Sequence, residues 1–290
     1  MLTNRVPYLN LDLTIDSGQV FLWNKANGYW YGVVGDNIVK VSSNNYNDLE
    51  YSSYPDSVDC ESIFRLEDDF TSIQKKISKD AVIRDALSKM KGLRLMRQEP
   101  YQCLVSFMCA TNTSIFMIKH MLTNMSKAFG KRIEYDNIIF HAFPEPKKLA
   151  NASINELCRC SVGYRARFIK RAAKAVVDEK IDFGYLKHTS YENAKEELMD
   201  VLGVGQKVSD CILLFSLEKL DSFPIDIWIA RAVMQYYTAM FEDKLESEKI
   251  TPKIYRIVSS KMREYFGAYA GYAQQYLYCY SRSNKTKLSK

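Results

Sequence analysis

The sequence predicts an α+β protein, with a small antiparallel sheet over residues 1–88 packed on an all-helical body over residues 89–290. Two observations carry this. Alternation and turn chemistry mark strands through roughly the first 85 residues, and from about Glu67 onward apolar residues recur at helical spacing.

In order along the chain, Leu9, Leu11, Leu13 and Ile15 alternate with Asn10, Asp12 and Thr14, which predicts a strand with one apolar face. Asp16-Ser17-Gly18 breaks that pattern and Gln19 to Trp23 resumes it. Tyr29 to Val34 and Ile38 to Val41 flank a Gly35-Asp36-Asn37 turn, as a hairpin requires. Past Arg97-Gln98-Glu99, Pro100 suits a first helical turn, and Leu104, Val105, Phe107 and Met108 give a buried helical segment. The next helix has Asn112 as its expected cap, an apolar stripe at Ile115, Ile118, Leu122, Met125 and Phe129, and Gly130 as its stop. Helical spacing continues through Phe168 to Val177, Tyr191 to Leu202, Lys207 to Leu217, Asp226 to Tyr237 and Pro252 to Phe266. No internal repeat or long linker interrupts it, and the basic tail Arg282 to Lys290 is the one biased tract.

With 290 residues the chain can bury a core in each of two domains, and 47% hydrophobic with 26% charged content is ordinary for a globular protein. No apolar stretch approaches the ~20 residues that span a bilayer, and Met1 to Pro7 lacks a secretory pattern, so an intracellular protein with no membrane partner is expected. Seven cysteines, mostly within apolar runs, read as reduced core thiols. Cys158-x-Cys160 has no second pair and no nearby histidine, so neither zinc nor an iron–sulfur cluster is expected. The net charge of +6 favours an anionic partner without identifying one.

The most specific local feature is Leu202-Gly203-Val204-Gly205-Gln206-Lys207 between two helical segments. Two glycines permit positive φ and close approach of another backbone, and the next helix begins with free N–H groups suited to a phosphate. A helix-hairpin-helix holds DNA backbone this way, while an ordinary interhelical turn has the same local sequence. Lys207 at a helix start is the wrong sign for the helix dipole. The same positive end, with partial burial, is expected to lower its pKa and leave some free amine to act as a nucleophile. Nineteen residues later, Asp226 stands where a helix begins. It reads either as an N-cap or as a carboxylate that stabilises positive charge on a sugar.

The segment from Leu202 to Asp226 resembles the helix-hairpin-helix, Gly/Pro-rich loop and aspartate signature of the DNA glycosylase superfamily. Four further stretches resemble its 8-oxoguanine branch: Ser17 to Trp23, Arg97-Gln98-Glu99-Pro100 continuing to Cys109 to Asn112, Gly163 to Arg167, and Gly267 to Gln274. They keep the family's order across nearly the whole chain.

The resemblance implies a TATA-binding-protein-like sheet beside the helical body and a bifunctional enzyme that flips 8-oxoguanine out of duplex DNA, excises it and nicks the strand. Lys207 is then the nucleophile and Asp226 its carboxylate partner. The Gly18 carbonyl would accept the proton that 8-oxoguanine carries at N7, where guanine has a bare acceptor. Gln274 would read the Watson–Crick edge, with Tyr278 and Cys211 on either face of the base; Cys211 lies four residues after Lys207, on the same helix face. Tyr164 would wedge into the stack, with Asn112 and Arg165 meeting the hole and the orphaned base. Gly203, Gly205 and Gln206 would hold phosphate, and Trp228 stands where a phosphate-contacting histidine is common.

Met117 replaces an arginine found in members that demand cytosine opposite the lesion, which predicts a relaxed opposite-base preference, and Leu202 replaces a hairpin proline. These departures resemble bacterial and archaeal members. No cofactor is expected, although a monovalent cation at the hairpin carbonyls is compatible with the motif, and the protein is expected to act as a monomer. A glycosylase for alkylated bases, or a non-catalytic helix-hairpin-helix module, are the alternatives; neither needs Lys207 as a nucleophile.

Overall fold

The computed structural model describes residues 2–5, 9–44, 48–241 and 250–288. Five strands, β1 (Leu2–Arg5), β2 (Trp23–Ala26), β3 (Tyr29–Val34), β4 (Asn37–Asn44) and β5 (Asp48–Tyr54), form one antiparallel sheet in the order β1-β5-β4-β3-β2. The β3–β4 hairpin turns at the predicted Gly35-Asp36-Asn37, with Val34 paired to Asn37.

The segment with alternating leucines is not a strand. Leu11–Ile15 forms a short helix, α1, because the Asn10 side chain accepts from Leu13 N at 2.9 Å and caps it. The segment is apolar on two sides: Leu11 and Ile15 enter a small core behind the sheet, while Leu13 packs toward the main core. A strand with one wet face was therefore the wrong reading of its alternation. Nor do Gln19 to Leu22 pair as a strand; Val20, Phe21 and Leu22 are all buried, and pairing starts only at Trp23.

Helices α2 (Cys60–Ile63), α3 (Phe70–Ile77) and α4 (Ala81–Lys89) follow the sheet, each capped by an aspartate side chain, from Asp59, Asp69 and Asp80. In α5 (Pro100–Cys109), proline occupies the first turn and Glu99 accepts from Tyr101 N and Gln102 N. The next helix, α6 (Ile115–Phe129), ends at Gly130 as expected but is capped by Ser114, not Asn112. Asn112 stands two residues before that cap with φ of 49°, a left-handed conformation that asparagine tolerates.

A two-stranded ribbon, β6 (Arg132–Tyr135) with β7 (Ile138–His141), leads into α7 (Pro146–Asn151), α8 (Ile154–Arg159), α9 (Arg165–Val177), α10 (Phe183–His188) and α11 (Tyr191–Met199). The chain then forms α12 (Gln206–Ser216), α13 (Ile227–Tyr236), α14 (Pro252–Phe266) and α15 (Ala270–Leu288). The last helix thus runs through the start of the basic tail, while the side chains from Asn284 and the final two residues lie outside the described residues.

One core joins Phe21, Leu22, Val33 and Ile38 of the sheet region to the helical body, so the two parts share buried surface. One ion pair locks them further, and a second, within the helical body, shares its carboxylate. Arg65, almost fully buried, donates to both oxygens of Glu218 at 2.8 and 3.0 Å, and Arg97 reaches the same carboxylate at 2.7 Å. Burial alone would push the Glu218 carboxyl up, but the two guanidinium groups outweigh it and hold its pKa at about 2. Six cysteines are buried and Cys158 is exposed. Among the described residues no helix is long and apolar enough to cross a membrane.

Candidate active site

The turn between α11 and α12 is built around Gly203, whose φ is 95°. A Cβ there would lie 2.7 Å from Phe168 Cβ and Cγ, so only glycine lets the hairpin close against α9. Gly205 behaves differently from expectation. Its backbone is extended, with φ of −97° and ψ of −176°, and its missing Cβ would meet nothing within 4 Å. It supplies an open backbone edge at the helix start rather than a left-handed turn. Gln206, the first residue of α12, ties this edge to the base of α14 through Nε2 to Pro252 O at 3.1 Å.

Lys207 follows, half-buried, with Nζ 5.1 Å from the centroid of the Phe107 ring. Phe107 is itself stacked on Phe215 at 5.4 Å and 8°, so the ammonium-bearing chain lies on an aromatic floor. Cys211 is buried one helical turn beyond, its thiol pushed up to about 12 by burial, with Lys207 opposing and the nearby carboxylates reinforcing. At neutral pH it therefore presents an uncharged sulfur surface.

Asp226 reaches the same place from the buried Phe223-Pro224-Ile225 segment. The N-cap reading of this residue is what its hydrogen bonds show. Oδ1 caps α13, accepting from Trp228 N at 3.0 Å and Ile229 N at 2.9 Å. Burial raises its pKa above the ordinary carboxylate value, and the Ile229 N–H and the positive charge of Lys207 pull it back.

The Ser17-Gly18 turn is held opposite by polar groups that the sequence motif does not explain on its own. Gln19, fully buried, donates to Thr14 O, Ser17 Oγ and Arg94 O and accepts from Met96 N, at 2.7 to 3.0 Å. From α15, Gln275 Nε2 donates to Ser17 O at 3.0 Å. Gly18 has φ of 81°, and an added Cβ would lie 3.0 Å from Tyr278 Oη. Its own carbonyl accepts nothing among the described residues.

Also on α15, Gln274 is 5% exposed and its Oε1 has no hydrogen-bond partner. An unpaired buried amide of this kind costs about 1–3 kcal/mol, and a bound ligand with a matching edge would remove the cost. Tyr278, one turn on, has its hydroxyl pushed up to about 12, chiefly by burial.

These parts line a single cleft of about 950 Å³. Of the residues singled out from sequence, Gly18, Asn112, Gly203, Gly205, Gln206, Lys207, Cys211, Asp226, Trp228, Gln274 and Tyr278 are on its wall; Tyr164 and Arg165 are not. Those two stand beside it. Tyr164 is 57% exposed and packs edge-on against Phe168, the residue that Gly203 closes on, and Arg165 donates to the Thr111 carbonyl next to Asn112. Trp228 faces Arg231, whose guanidinium is 5.7 Å from its ring. The motif reasoning missed Phe107, Phe215, Gln275, Tyr255 and Arg282, all of which line the cleft. Phe215 lies eight residues after Lys207, a spacing that was available in the sequence.

Residues 1–104 match the family described as the 8-oxoguanine DNA glycosylase N-terminal domain, and residues 105–256 match the HhH-GPD superfamily of base excision DNA repair proteins. The chain is 29% identical to an N-glycosylase/DNA lyase of Arabidopsis thaliana, covering 93% of this chain and 76% of that one. Its fold matches that of MBOgg1, solved with a low-affinity DNA ligand, with a TM-score of 0.87 at 32% identity over 98% of this chain and 96% of that chain. It also matches the Clostridium acetobutylicum 8-oxoguanine glycosylase/lyase, solved with duplex DNA containing cytosine opposite 8-oxoG. There the TM-score is 0.85 at 31% identity, over 96% of this chain and 93% of that chain.

Proposed function

The chain belongs to the HhH-GPD superfamily of base excision DNA repair proteins, in its 8-oxoguanine glycosylase branch, and from that premise we propose that Lys207 and Asp226 excise 8-oxoguanine from duplex DNA and then nick the strand. It is a bifunctional N-glycosylase and DNA lyase. The observation that carries the assignment of roles is the convergence of three groups on one cleft: the Lys207 amine, the Asp226 carboxylate and the unpaired Gln274 amide.

The extruded base enters between Tyr278 and Cys211, and the Gln274 amide pairs with its Watson–Crick edge. The open carbonyl of Gly18 accepts the N7 proton of the lesion and repels the bare N7 of guanine. Lys207 Nζ, as free amine, attacks C1′; the C1′–N9 bond breaks with its electron pair leaving on the base, which takes up a proton. Asp226 stabilises the positive charge that develops on the sugar. Ring opening gives a Schiff base between Lys207 and C1′. Loss of a proton from C2′ then expels the 3′ phosphate, which is the nick.

Gly203, Gly205, Gln206 and Trp228 hold the backbone beside the lesion, and Tyr164, Asn112 and Arg165 occupy the hole and meet the orphaned base. Met117 packs against the core and offers that base no hydrogen bond, so opposite-base preference is relaxed. The enzyme acts inside the cell and as a monomer on this reading.

The test is excision from duplexes carrying 8-oxoguanine or 3-methyladenine, with 8-oxoguanine placed opposite each of the four bases. Release of 8-oxoguanine at similar rates opposite all four is expected. Preferential release of 3-methyladenine would overturn the substrate assignment, and strict dependence on cytosine would overturn the role given to Met117.

A further inference from the structure

Phe116 is 76% exposed, more than any other large apolar side chain among the described residues. The helical stripe does not account for it. Ile115 and Met117 pack against the core and Ile118 is buried within it, while Phe116 falls outside the set at 115, 118, 122, 125 and 129. Yet its position is fixed. It lies in the first turn of α6, ordered by Ser114 Oγ accepting from Met117 N at 3.3 Å, and lines the cleft together with Asn112.

Two contacts tie it to the turn that presents Tyr164. The Phe116 ring stacks on His120 with centroids 6.5 Å apart at 8°, and His120 Nε2 lies 3.5 Å from Ser161 Oγ, three residues before Tyr164. On the other side, Arg165 donates to the Thr111 carbonyl, one residue from Asn112. An exposed, pre-positioned aromatic face therefore stands at the start of α6, beside Asn112, Tyr164 and Arg165, the residues assigned above to the hole in the duplex. A flat apolar surface beside the polar Thr111, Asn112, Thr113 and Ser114 of the cleft wall suits the face of a nucleobase.

We propose that Phe116 is a second aromatic plug, stacking on the base left unpaired opposite the extruded nucleotide. This rests on the excision reading above for the presence of an orphaned base. Every base offers a π face, so stacking holds the orphan without reading its edge; it replaces the hydrogen bonding that Met117 lacks and makes tolerance of all four bases a positive feature of the site.

The test uses five duplexes holding a tetrahydrofuran abasic analogue opposite C, A, G, T or a second tetrahydrofuran, which offers no base to stack on. Phe116→Ala should bind the first four about tenfold more weakly than the parent and bind the fifth within about twofold of it, with an unchanged melting temperature; Phe116→Trp should restore all four. Equal weakening on all five duplexes, or none on the four, would overturn the proposal. Failure of the excision reading shows separately, as a parent protein that binds these duplexes but releases no 8-oxoguanine.

Discussion

Replacing Asp226 by Asn separates the two jobs of this side chain. Asparagine keeps an oxygen where Oδ1 accepts from Trp228 N and Ile229 N, and asparagine is as good an N-cap as aspartate, so α13 keeps its start. What is lost is the charge. At a separation of about 4 Å and an effective dielectric of about 20, a carboxylate stabilises a developing sugar cation by about 4 kcal/mol, which corresponds to a rate loss of roughly 10³.

The sign of the stability change is opposite. Burial raises the folded-state pKa of Asp226, so between the unfolded value near 3.8 and the raised folded value the native state holds more protons, and stability falls as pH rises through that window. Above it the folded protein carries a charge that it disfavours, which Asp226→Asn removes. Single-turnover release of 8-oxoguanine should therefore drop about 10³-fold at neutral pH, while urea midpoints stay equal or rise slightly. The parent's acidic limb of rate should also sit above the ordinary carboxylate range. A variant that keeps more than about a tenth of the parent rate, or that loses stability as Asp226→Ala should by about 1 kcal/mol, would refute this division of labour.

Four other outcomes follow from the geometry. Gly18→Ala must place a Cβ against Tyr278 Oη at a φ of 81°, so excision should fall at least about tenfold while binding to undamaged duplex in a gel-shift assay stays the same. Gln274→Met removes the unpaired amide from its buried position, so the melting temperature should hold or rise while kcat/KM for 8-oxoguanine falls by about 5- to 150-fold. Cys211, with its thiol near 12, should resist iodoacetamide at pH 7.5 in the folded protein, and Cys211→Ala should leave the pH profile of excision unchanged in shape. Glu218→Gln leaves Arg65 buried without its partner and should cost about 3 kcal/mol in denaturant titration. Because the folded carboxyl is held near 2, the parent's contribution from it should persist at neutral pH and fade as pH drops from about 4.5 toward 2.

The helical body was legible because its signals are local: apolar stripes at three and four, Pro100 in a first turn and Gly130 at an end. Residues 9–15 were not, since Leu and Ile at odd positions fit a strand, and only the Asn10 side chain and burial on two faces decide for a helix. Two glycines in the hairpin looked equivalent. Of the two, only Gly203 has a positive φ, and Phe168, on α9, packs where a Cβ would sit. In the site, the resemblance named Lys207 and Cys211, and their four-residue spacing put them on one helix face, where both line the cleft. Gln275 was not, because its bond to Ser17 O closes a separation of 258 residues. A pair of adjacent glutamines within an apolar helix was the one available hint of it. Asp226 shows a further limit, for capping and catalysis predict the same residue at the same place, and the observed cap bonds leave the second use to the rate measurement above.

The central claim is that the Lys207 amine becomes covalently joined to the sugar, and borohydride trapping reads it directly. With an 8-oxoguanine duplex and sodium borohydride, the parent should yield a stable protein–DNA adduct whose peptide map places the modification on Lys207, and Lys207→Gln should yield none while still binding the duplex. An adduct of equal yield in Lys207→Gln, or an active parent that cannot be trapped, would contradict the account.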